Sequence, residues 1–399
     1  MSIKALESEL IKLGDDLFNH PELGYKEFKT REILIEFFKK HNVSVHKEFA
    51  YTGFSVQIGS GFPHIALIAE LDAVITPNHR CANNSDHAAH SCGHSSQCVI
   101  MSAAFINLKE CLKNGTVTLF FTPAEEYLDI EYRKELKAKG LIKAFGGKQE
   151  MLLNHEFDEI DCFIHVHGMG EALESYSVNS SLAGFNYQVF KFIGQSAHAA
   201  VSPELGVNAL NMFTLYQNAI ALLRETFVDE DKNRIHGHII SANNSVNTIA
   251  DEVIYEQYVR SFNPSVLESL SLQCEKTAIF CAKALNGDCE VETTKGYLPL
   301  SPSTHLSNIV HEEILKLHPL TKIRLNERSI AAGDIGDLSQ FYPGIQLGYS
   351  GFSGRMHGDN LEIKDTDFMY KEVPTVIINT VMRLLENPSL VDNIKNNFN

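Results

Sequence analysis

The side chains best suited to hold a metal ion are concentrated in residues 85–98, which read SDHAAHSCGHSSQC. Cys92 and His94 stand on either side of a glycine, and this spacing lets a thiolate and an imidazole converge on one ion. A helix is predicted to begin here, and the positive end of its dipole would favour the Cys92 thiolate, the form that binds metal. We interpret His87 and His90 as surface residues or as residues behind the ligands.

Three further elements carry side chains suited to metal binding or proton transfer. Glu125 and Glu126 follow a proline in a predicted loop, where adjacent carboxylates point in different directions. One of them can therefore bind a metal while the other holds a water as general base. His165 and His167 lie in an apolar segment, and His357 lies in the sequence GRMHGDN. Each element alone has an ordinary structural explanation, but the four together indicate a metal centre.

The elements that must position these residues are predicted to be buried strands. The apolar runs 65–69, 116–121 and 162–166 lack polar alternation, as strands covered on both faces do, and each is followed by polar side chains. A helical pattern over 99–108 separates the first two runs, which indicates the strand–helix–strand order of a mostly parallel sheet. The sequence therefore predicts an α/β fold with flanking helices and a site at the carboxyl ends of its strands.

The pattern changes from about Val178. Residues 178–299 predict strand, helix, two strands, helix and strand, which is the order of a ferredoxin-like α+β unit. The chain returns to α/β character after this segment. We therefore expect a catalytic domain built from 1–177 and 300–399, with 178–299 inserted as a second domain.

Composition and charge exclude several classes of function. The chain has 399 residues, 44% of them hydrophobic, and a formal net charge of −16 from 34 basic and 50 acidic residues. Without a run of basic residues, a nucleic-acid partner is not expected. No apolar run approaches the roughly 18 residues of a membrane helix, and the first residues do not resemble a signal peptide. Eight cysteines without an export signal predict reduced thiols in the cytoplasm.

Several short motifs, in a consistent order, make the chain resemble a known family. They are HPEL at 20–23, AELDA at 69–73, HSCGH at 90–94, PAEE at 123–126, GQSAHAAVSP at 194–203 and GDIGDLS at 333–339. These motifs are similar to those of the aminoacylase/carboxypeptidase family of co-catalytic metalloenzymes. The resemblance is to its amidohydrolase branch, which includes hippurate, indole-acetyl-amino-acid and aminobenzoyl-glutamate hydrolases.

The resemblance implies two divalent metal ions and a set of ligands. It implies that Cys92 bridges the ions, that Glu125 is the general base, and that the remaining ligands are His94, Glu126, His167 and His357. Counting six residues from Asp161 selects His167 as the strand ligand, although His165 would point to the same side of a strand. Thiolate, imidazole and carboxylate ligands together suit zinc, with manganese, cobalt or nickel as alternatives.

The resemblance also implies that the inserted domain is a lid and the contact of a homodimer. His198 resembles the family residue that helps to polarise the scissile carbonyl, and Asn247 resembles a polar contact to the substrate. Arg260 or Arg355 could hold a substrate carboxylate through a bidentate contact.

This chain departs from the branch in two places. Many members have aspartate and histidine where this chain has Ser95 and Gln97, and aminobenzoyl-glutamate-like members also lack the aspartate. The loop 75–89 is long and carries its own histidines, which leaves the substrate preference open.

The predicted reaction is hydrolysis of the amide bond of a small acyl amino acid or dipeptide-like substrate. A dipeptidase or carboxypeptidase acting at the same site is the nearest alternative. A catalytically silent metal-binding or ligand-binding protein is a second alternative, but binding alone would not need Glu125. A serine hydrolase is disfavoured because GYSGFSG at 348–354 never places serine in a Gly-x-Ser-x-Gly frame.

Overall fold

The computed structural model of the protein describes residues 3–242 and 245–398. The chain divides into two compact units. The first consists of Met1–Ser181, Ser301–Arg328 and Asp337–Asn399, and the second of Leu182–Leu300 and Ser329–Gly336. The second unit thus includes a short segment, 329–336, that the sequence assigned to the catalytic domain. In that segment the carbonyl of Ala331 accepts a hydrogen bond from the Ala183 amide at 2.9 Å, a contact between residues far apart in the chain.

The described residues form helices and strands of the following bounds. The helices are α1 Ile3–Phe18, α2 Phe28–Lys40, α3 His94–Cys111, α4 Ile130–Ala138, α5 Gly147–Leu153, α6 Ala209–Leu223, α7 Pro264–Ala284, α8 Thr304–Leu317, α9 Ile335–Leu338, α10 Val373–Glu386 and α11 Pro388–Asn396. The strands are β1 Lys47–Phe49, β2 Gly53–Ser60, β3 His64–Glu70, β4 Val74–Ile75, β5 Ala88–Ala89, β6 Gly115–Thr122, β7 Cys162–Gly168, β8 Tyr176–Val178, β9 Ser181–Leu182, β10 Gly184–Ile193, β11 Arg234–Ala242, β12 Glu252–Ser261, β13 Asp288–Lys295, β14 Ile323–Leu325, β15 Arg328–Ser329, β16 Gly344–Tyr349, β17 Phe352–Ser353 and β18 Glu362–Ile363.

An eight-stranded mixed sheet forms the centre of the first unit, in the order β1-β2-β6-β3-β7-β16-β8-β14. Its central strands β6, β3, β7 and β16 are parallel to one another. Every residue of β6 is buried, which explains why its sequence shows no polar alternation. The mixed α/β class expected from the sequence is confirmed, and the carboxyl ends of the four central strands lie at one edge.

Helix α3 is buried on nearly all sides and packs against α1, α10 and β3. A helix without a polar face is stable only inside a core. Burial of each large apolar side chain contributes about 1.5–3 kcal/mol, so α3 is held firmly in place. Its first residue is His94, so the firmly packed helix also fixes the position of this histidine.

The second unit is a four-stranded antiparallel sheet in the order β11-β12-β10-β13. Buried and half-buried residues alternate along β10 and β12, and α6 and α7 pack on one face of the sheet. The element order and the strand pairing are those of a ferredoxin-like unit. No helix in the described part of the chain is long and apolar enough to cross a lipid bilayer.

Candidate metal centre

The polar side chains of the site follow the carboxyl ends of neighbouring parallel strands. Strand β3 ends at Glu70 and is followed by Asp72, β6 is followed by Glu125 and Glu126, and His167 lies near the end of β7. Because β6 and β7 flank β3 in the sheet, the strand order alone brings these residues to one edge.

Cys92 and His94 reach the same edge from the start of α3. Gly93, between them, has φ +81°, a conformation that favours glycine, and a Cβ there would lie 2.9 Å from the ring of Phe352. Burial, and then the carboxylates of Glu126 and Glu125, raise the pKa of the Cys92 thiol well above its usual value. The sequence did not show that two carboxylates converge on this thiol.

The first group of side chains able to hold an ion consists of Cys92, His94 and His167, whose metal-binding atoms all lie within 4.8 Å of one another. Nε2 of His167 is 3.6 Å from Sγ of Cys92. Nδ1 of His94 is 2.8 Å from the carbonyl oxygen of Asp72, and Nδ1 of His167 is 2.8 Å from that of Gly168. A carbonyl oxygen can only accept a hydrogen bond, so each Nδ1 carries a proton and donates. In the neutral ring Nε2 is then the nitrogen without a proton, and in both residues it is turned toward the cluster.

The protonation of the two histidines differs for a physical reason. Burial lowers the pKa of His167 to about 4, so its ring is neutral. Burial also lowers the pKa of His94, but the carboxylates of Glu70 and Asp72 outweigh it and raise the pKa to about 9. A cation is therefore favoured next to these carboxylates, whether it is a proton or a metal ion.

The second group consists of Cys92, Glu126 and His357, again within 4.8 Å. Nε2 of His357 lies 3.2 Å from Oε1 of Glu126, and the interaction between them raises the pKa of His357. His357 has φ +59° and donates its backbone amide to the carbonyl oxygen of Ser91 at 2.7 Å. Cys92 belongs to both groups, which is the arrangement that a thiolate bridging two ions would require.

Glu125 belongs to neither group that contains Cys92, but with Glu70 and His94 it forms a third group of side chains able to hold an ion. Its Oε2 is 4.0 Å from Nε2 of His94, and only 7% of the residue is exposed. Asp72 supports both sides of the site, because its Oδ2 accepts the backbone amide of Glu126 at 2.9 Å while its carbonyl accepts from His94.

The donor set suits a divalent cation. Nε2 of His94 is buried and forms no well-aligned hydrogen bond, although it lies 3.2 Å from Oε2 of Glu70. A metal ion bound to this nitrogen would give it a partner of suitable geometry. Thiolate, imidazole and carboxylate together are typical zinc ligands.

A layer of buried charged residues lies directly behind the ligands, and sequence reasoning gave it no role. Oε1 of Glu70 accepts a hydrogen bond from Lys148 at 2.7 Å and lies 3.2 Å from Nε2 of His165, while Oε2 accepts from Gln97 at 2.9 Å. Burial raises the pKa of Glu70, but Lys148 and His165 outweigh it and hold that pKa well below its usual value. The AELDA motif marked Glu70, whereas nothing in the sequence pointed to Lys148.

The remaining predicted substrate residues are placed as follows. Arg355 is exposed and lies two residues before His357. In the second unit, His198 is exposed, and its Nδ1 accepts the amides of two following residues, each at 3.2 Å. Asn247 lies on the adjacent segment and accepts the amide of Ala199 through its carbonyl oxygen at 2.8 Å.

Arg260 is half-buried in the second unit, and its position is defined on several sides. Its guanidinium lies 5.5 Å from the ring centre of Phe185 and 5.4 Å from that of Tyr258. Its Nε is 3.3 Å from Nε2 of His236, and its Nη1 donates to the carbonyl oxygen of Ile330 at 3.1 Å. The sequence had indicated Arg260 as a possible partner for a substrate carboxylate, but it did not show that two aromatic rings pack against its guanidinium.

Fold and site together define a metal-dependent hydrolase that acts on amide bonds. Residues 66–373 match the model of the family described as Peptidase family M20/M25/M40, and the chain belongs to this family. It is 26% identical to N-acetyldiaminopimelate deacetylase of Oenococcus oeni, over 89% of this chain and 93% of that one. It is 28% identical to one of the subunits of p-aminobenzoyl-glutamate hydrolase of Escherichia coli, over 59% of this chain and 47% of that one.

A solved structure shows the same fold. The crystal structure of a dinuclear metal-binding peptidase of the M20 family from Bacillus subtilis aligns with a TM-score of 0.75. The alignment covers 96% of this chain and 99% of that one, at 17% sequence identity. The family resemblance predicted from the motifs is confirmed.

Proposed function

We propose that the protein hydrolyses the amide bond of an N-acyl amino acid or an aminobenzoyl-glutamate-like substrate with two divalent ions. One ion would be held by Cys92, His94 and His167, and the other by Cys92, Glu126 and His357. The observation that carries the proposal is that Cys92 belongs to both of these groups while Glu125 belongs to neither of them. His167 is preferred over His165 because His167 belongs to a group with Cys92, with its Nε2 3.6 Å from Sγ of Cys92, whereas His165 belongs to neither group.

The catalytic roles follow from what each side chain can reach. When bound, the ions would supply Lewis acidity that brings the pKa of a water close to neutral pH. Glu125 takes the proton of this water as it attacks the carbonyl carbon, and then returns it to the leaving nitrogen. Asp72 fixes the orientation of His94 and of the Glu126 backbone. His198 would polarise the scissile carbonyl. Zinc is the expected metal, with manganese, cobalt or nickel as alternatives.

The substrate class rests on the relatives and on Arg260. Both relatives' names denote amides of amino acids, which carry a carboxylate close to the scissile bond. Arg260, which packs against two neighbouring aromatic rings, is suited to bind such a carboxylate with little loss of side-chain freedom. Asn247 would make a polar contact to the substrate, and Arg355 is the alternative carboxylate anchor.

We further propose that the second unit is a lid and the contact of a homodimer. Strand β11 is an edge strand of its sheet, and Ile239 and Ile240 on it are 41% and 52% exposed. An exposed edge strand is prone to pair with another chain, and a second copy could cover it. All eight cysteines are free thiols, which supports a reducing location such as the cytoplasm.

The test is metal content by mass spectrometry combined with hydrolysis of N-acyl amino acids, aminobenzoyl-glutamate and dipeptides. Wild type is expected to carry about two ions per chain and to cleave an acylated amino acid. Glu125→Gln should keep the metal and lose turnover, while Glu131→Gln, which changes an exposed glutamate, should match wild type. Absence of metal, or an active Glu125→Gln variant, would refute the site. Cleavage of dipeptides alone would favour the peptidase alternative.

A further inference from the structure

The turn that carries the two carboxylates has an unfavourable backbone conformation. Ala124, directly before Glu125, has φ +55°. For a residue with a side chain, a left-handed conformation costs about 1–2 kcal/mol. Such a conformation persists only where its surroundings impose it. Groups outside the turn must therefore hold the segment Ala124–Glu126 in place.

Glu27 holds this segment from one side. Its side chain is fully buried, its Oε1 accepts the backbone amide of Ala124 at 2.9 Å, and its Oε2 accepts the hydroxyl of Thr52 at 2.5 Å. Glu27 is also the residue that precedes α2, yet its side chain makes no capping hydrogen bond to that helix. Its carboxyl group thus binds the backbone of the distant Ala124 and does not cap the helix that follows it.

Arg133 of α4 holds the segment from the other side. It is fully buried, and its Nη1 donates to the carbonyl oxygen of Phe145 at 2.7 Å and to that of Ala124 at 3.4 Å. Its Nη2 donates to the carbonyl oxygen of Glu126. A Cβ at Gly24 would lie 2.5 Å from Nη2 and 2.8 Å from Cα of Ala124, so glycine is required for this close approach.

These contacts fix the peptide planes on both sides of Glu125. The carbonyls of Ala124 and Glu126 are bound by one guanidinium, and the amide of Glu126 is bound by Asp72 at 2.9 Å. A rotation of either plane would move the Glu125 side chain out of its present position. Burying a guanidinium against carbonyl groups is expensive, and an apolar side chain would fill the same space at lower cost.

We propose that Glu27 and Arg133 are positioning residues that keep the general base Glu125 apart from the metal ligand Glu126. The proposal rests on the proposed function, since it needs Glu125 to be the base. It predicts a defect in turnover and not in substrate binding. A displacement of about 1 Å at a reacting group can lower the rate about 100-fold.

The experiment compares Arg133→Met, Arg133→Lys, Glu27→Leu and Glu27→Gln as metal-loaded enzyme. Arg133→Met and Glu27→Leu are expected to lower kcat about 100-fold, with KM within about 3-fold of wild type and two ions still bound. Glu27→Gln should approach wild type, because an amide keeps both an acceptor for Ala124 and a partner for Thr52. Arg133→Lys should fall between, since an ammonium cannot reach both carbonyls in a fixed geometry.

Several results would overturn the proposal. It is wrong if Arg133→Met or Glu27→Leu keeps kcat within about 3-fold of wild type, or if Glu27→Gln is as impaired as Glu27→Leu. It is also wrong if kcat falls only in proportion to the metal lost. Should Arg133→Met fail to fold, the Glu27 pair decides the question. Glu125→Gln, measured in parallel, separates the two hypotheses, because its full activity would refute the proposed function itself.

Discussion

The buried ion pair between Lys148 and Glu70 permits a sharp test of the layer behind the ligands. Both side chains are almost completely buried, and Nζ of Lys148 lies 2.7 Å from Oε1 of Glu70. The informative change is Lys148→Met, because methionine has an unbranched apolar stem similar to that of lysine but lacks the ammonium group, with its charge and its N–H donors. Glu70 would then remain as a buried carboxylate whose strongest partner has gone.

The magnitude follows from the distance. At an effective dielectric constant of about 20, two unit charges 2.7 Å apart attract by about 6 kcal/mol, which desolvation offsets in large part. Removing one partner nevertheless leaves the other charge buried, and such changes destabilise by about 3–5 kcal/mol. The double variant Lys148→Met/Glu70→Gln removes both charges and should recover most of this loss.

Urea denaturation gives the free energy of unfolding, followed by circular dichroism because the chain has no tryptophan. Lys134→Met is the matched control, since Lys134 pairs with Glu131 at 3.0 Å on the exposed surface, where ion pairs contribute little. The reasoning is refuted if Lys148→Met costs less than about 1 kcal/mol, or if the losses of the two single variants simply add in the double variant.

Acidity provides an independent check on the same pair. The pKa of Glu70 is held below its ordinary value of 4.5, mainly by Lys148 against the opposing effect of burial. A lowered carboxyl pKa contributes stability above the unfolded-state pKa, and this contribution is lost as the pH falls through the folded-state pKa. The difference in the free energy of unfolding between wild type and Lys148→Met should therefore be largest at neutral pH and shrink below about pH 4.5.

Four other predictions concern the site. Asp72→Asn should weaken metal affinity about 10–100-fold, as measured by competition with a chelator, because Asp72 orients a ligand. His167→Gln should lose bound metal, whereas His165→Gln should keep it; equal metal content in the two variants would contradict this assignment. Arg260→Gln should raise KM for carboxylate-bearing substrates with little change in kcat. Removal of metal by EDTA should abolish activity and lower the melting temperature, and zinc should restore both.

Sequence periodicity was sufficient for the central strands because each is a local feature. The run 65–69 became β3 and the run 116–121 became β6, since a strand covered on both faces needs apolar residues at every position. The same reasoning could not choose between His165 and His167. Residues two apart in a strand share a face, and only the neighbouring Glu70 and Cys92 distinguish the two rings.

Tertiary structure also added two features that the sequence did not show. Burial and the carboxylates of Glu126 and Glu125 raise the pKa of the Cys92 thiol. Segment 329–336 was assigned to the first domain, yet it clusters with the second unit. In both cases the deciding contacts join residues that are far apart in the chain.

The sequence by itself determined the α/β class, the family and the residue types able to bind metal, because strand burial and short motifs are encoded locally. Only the tertiary structure showed that Cys92 stands between two groups of potential ligands, and that Lys148, Glu27 and Arg133 lie behind them. These three residues are unremarkable in sequence. Their importance arises from burial, which makes a charge or a hydrogen bond count far more than it would in water.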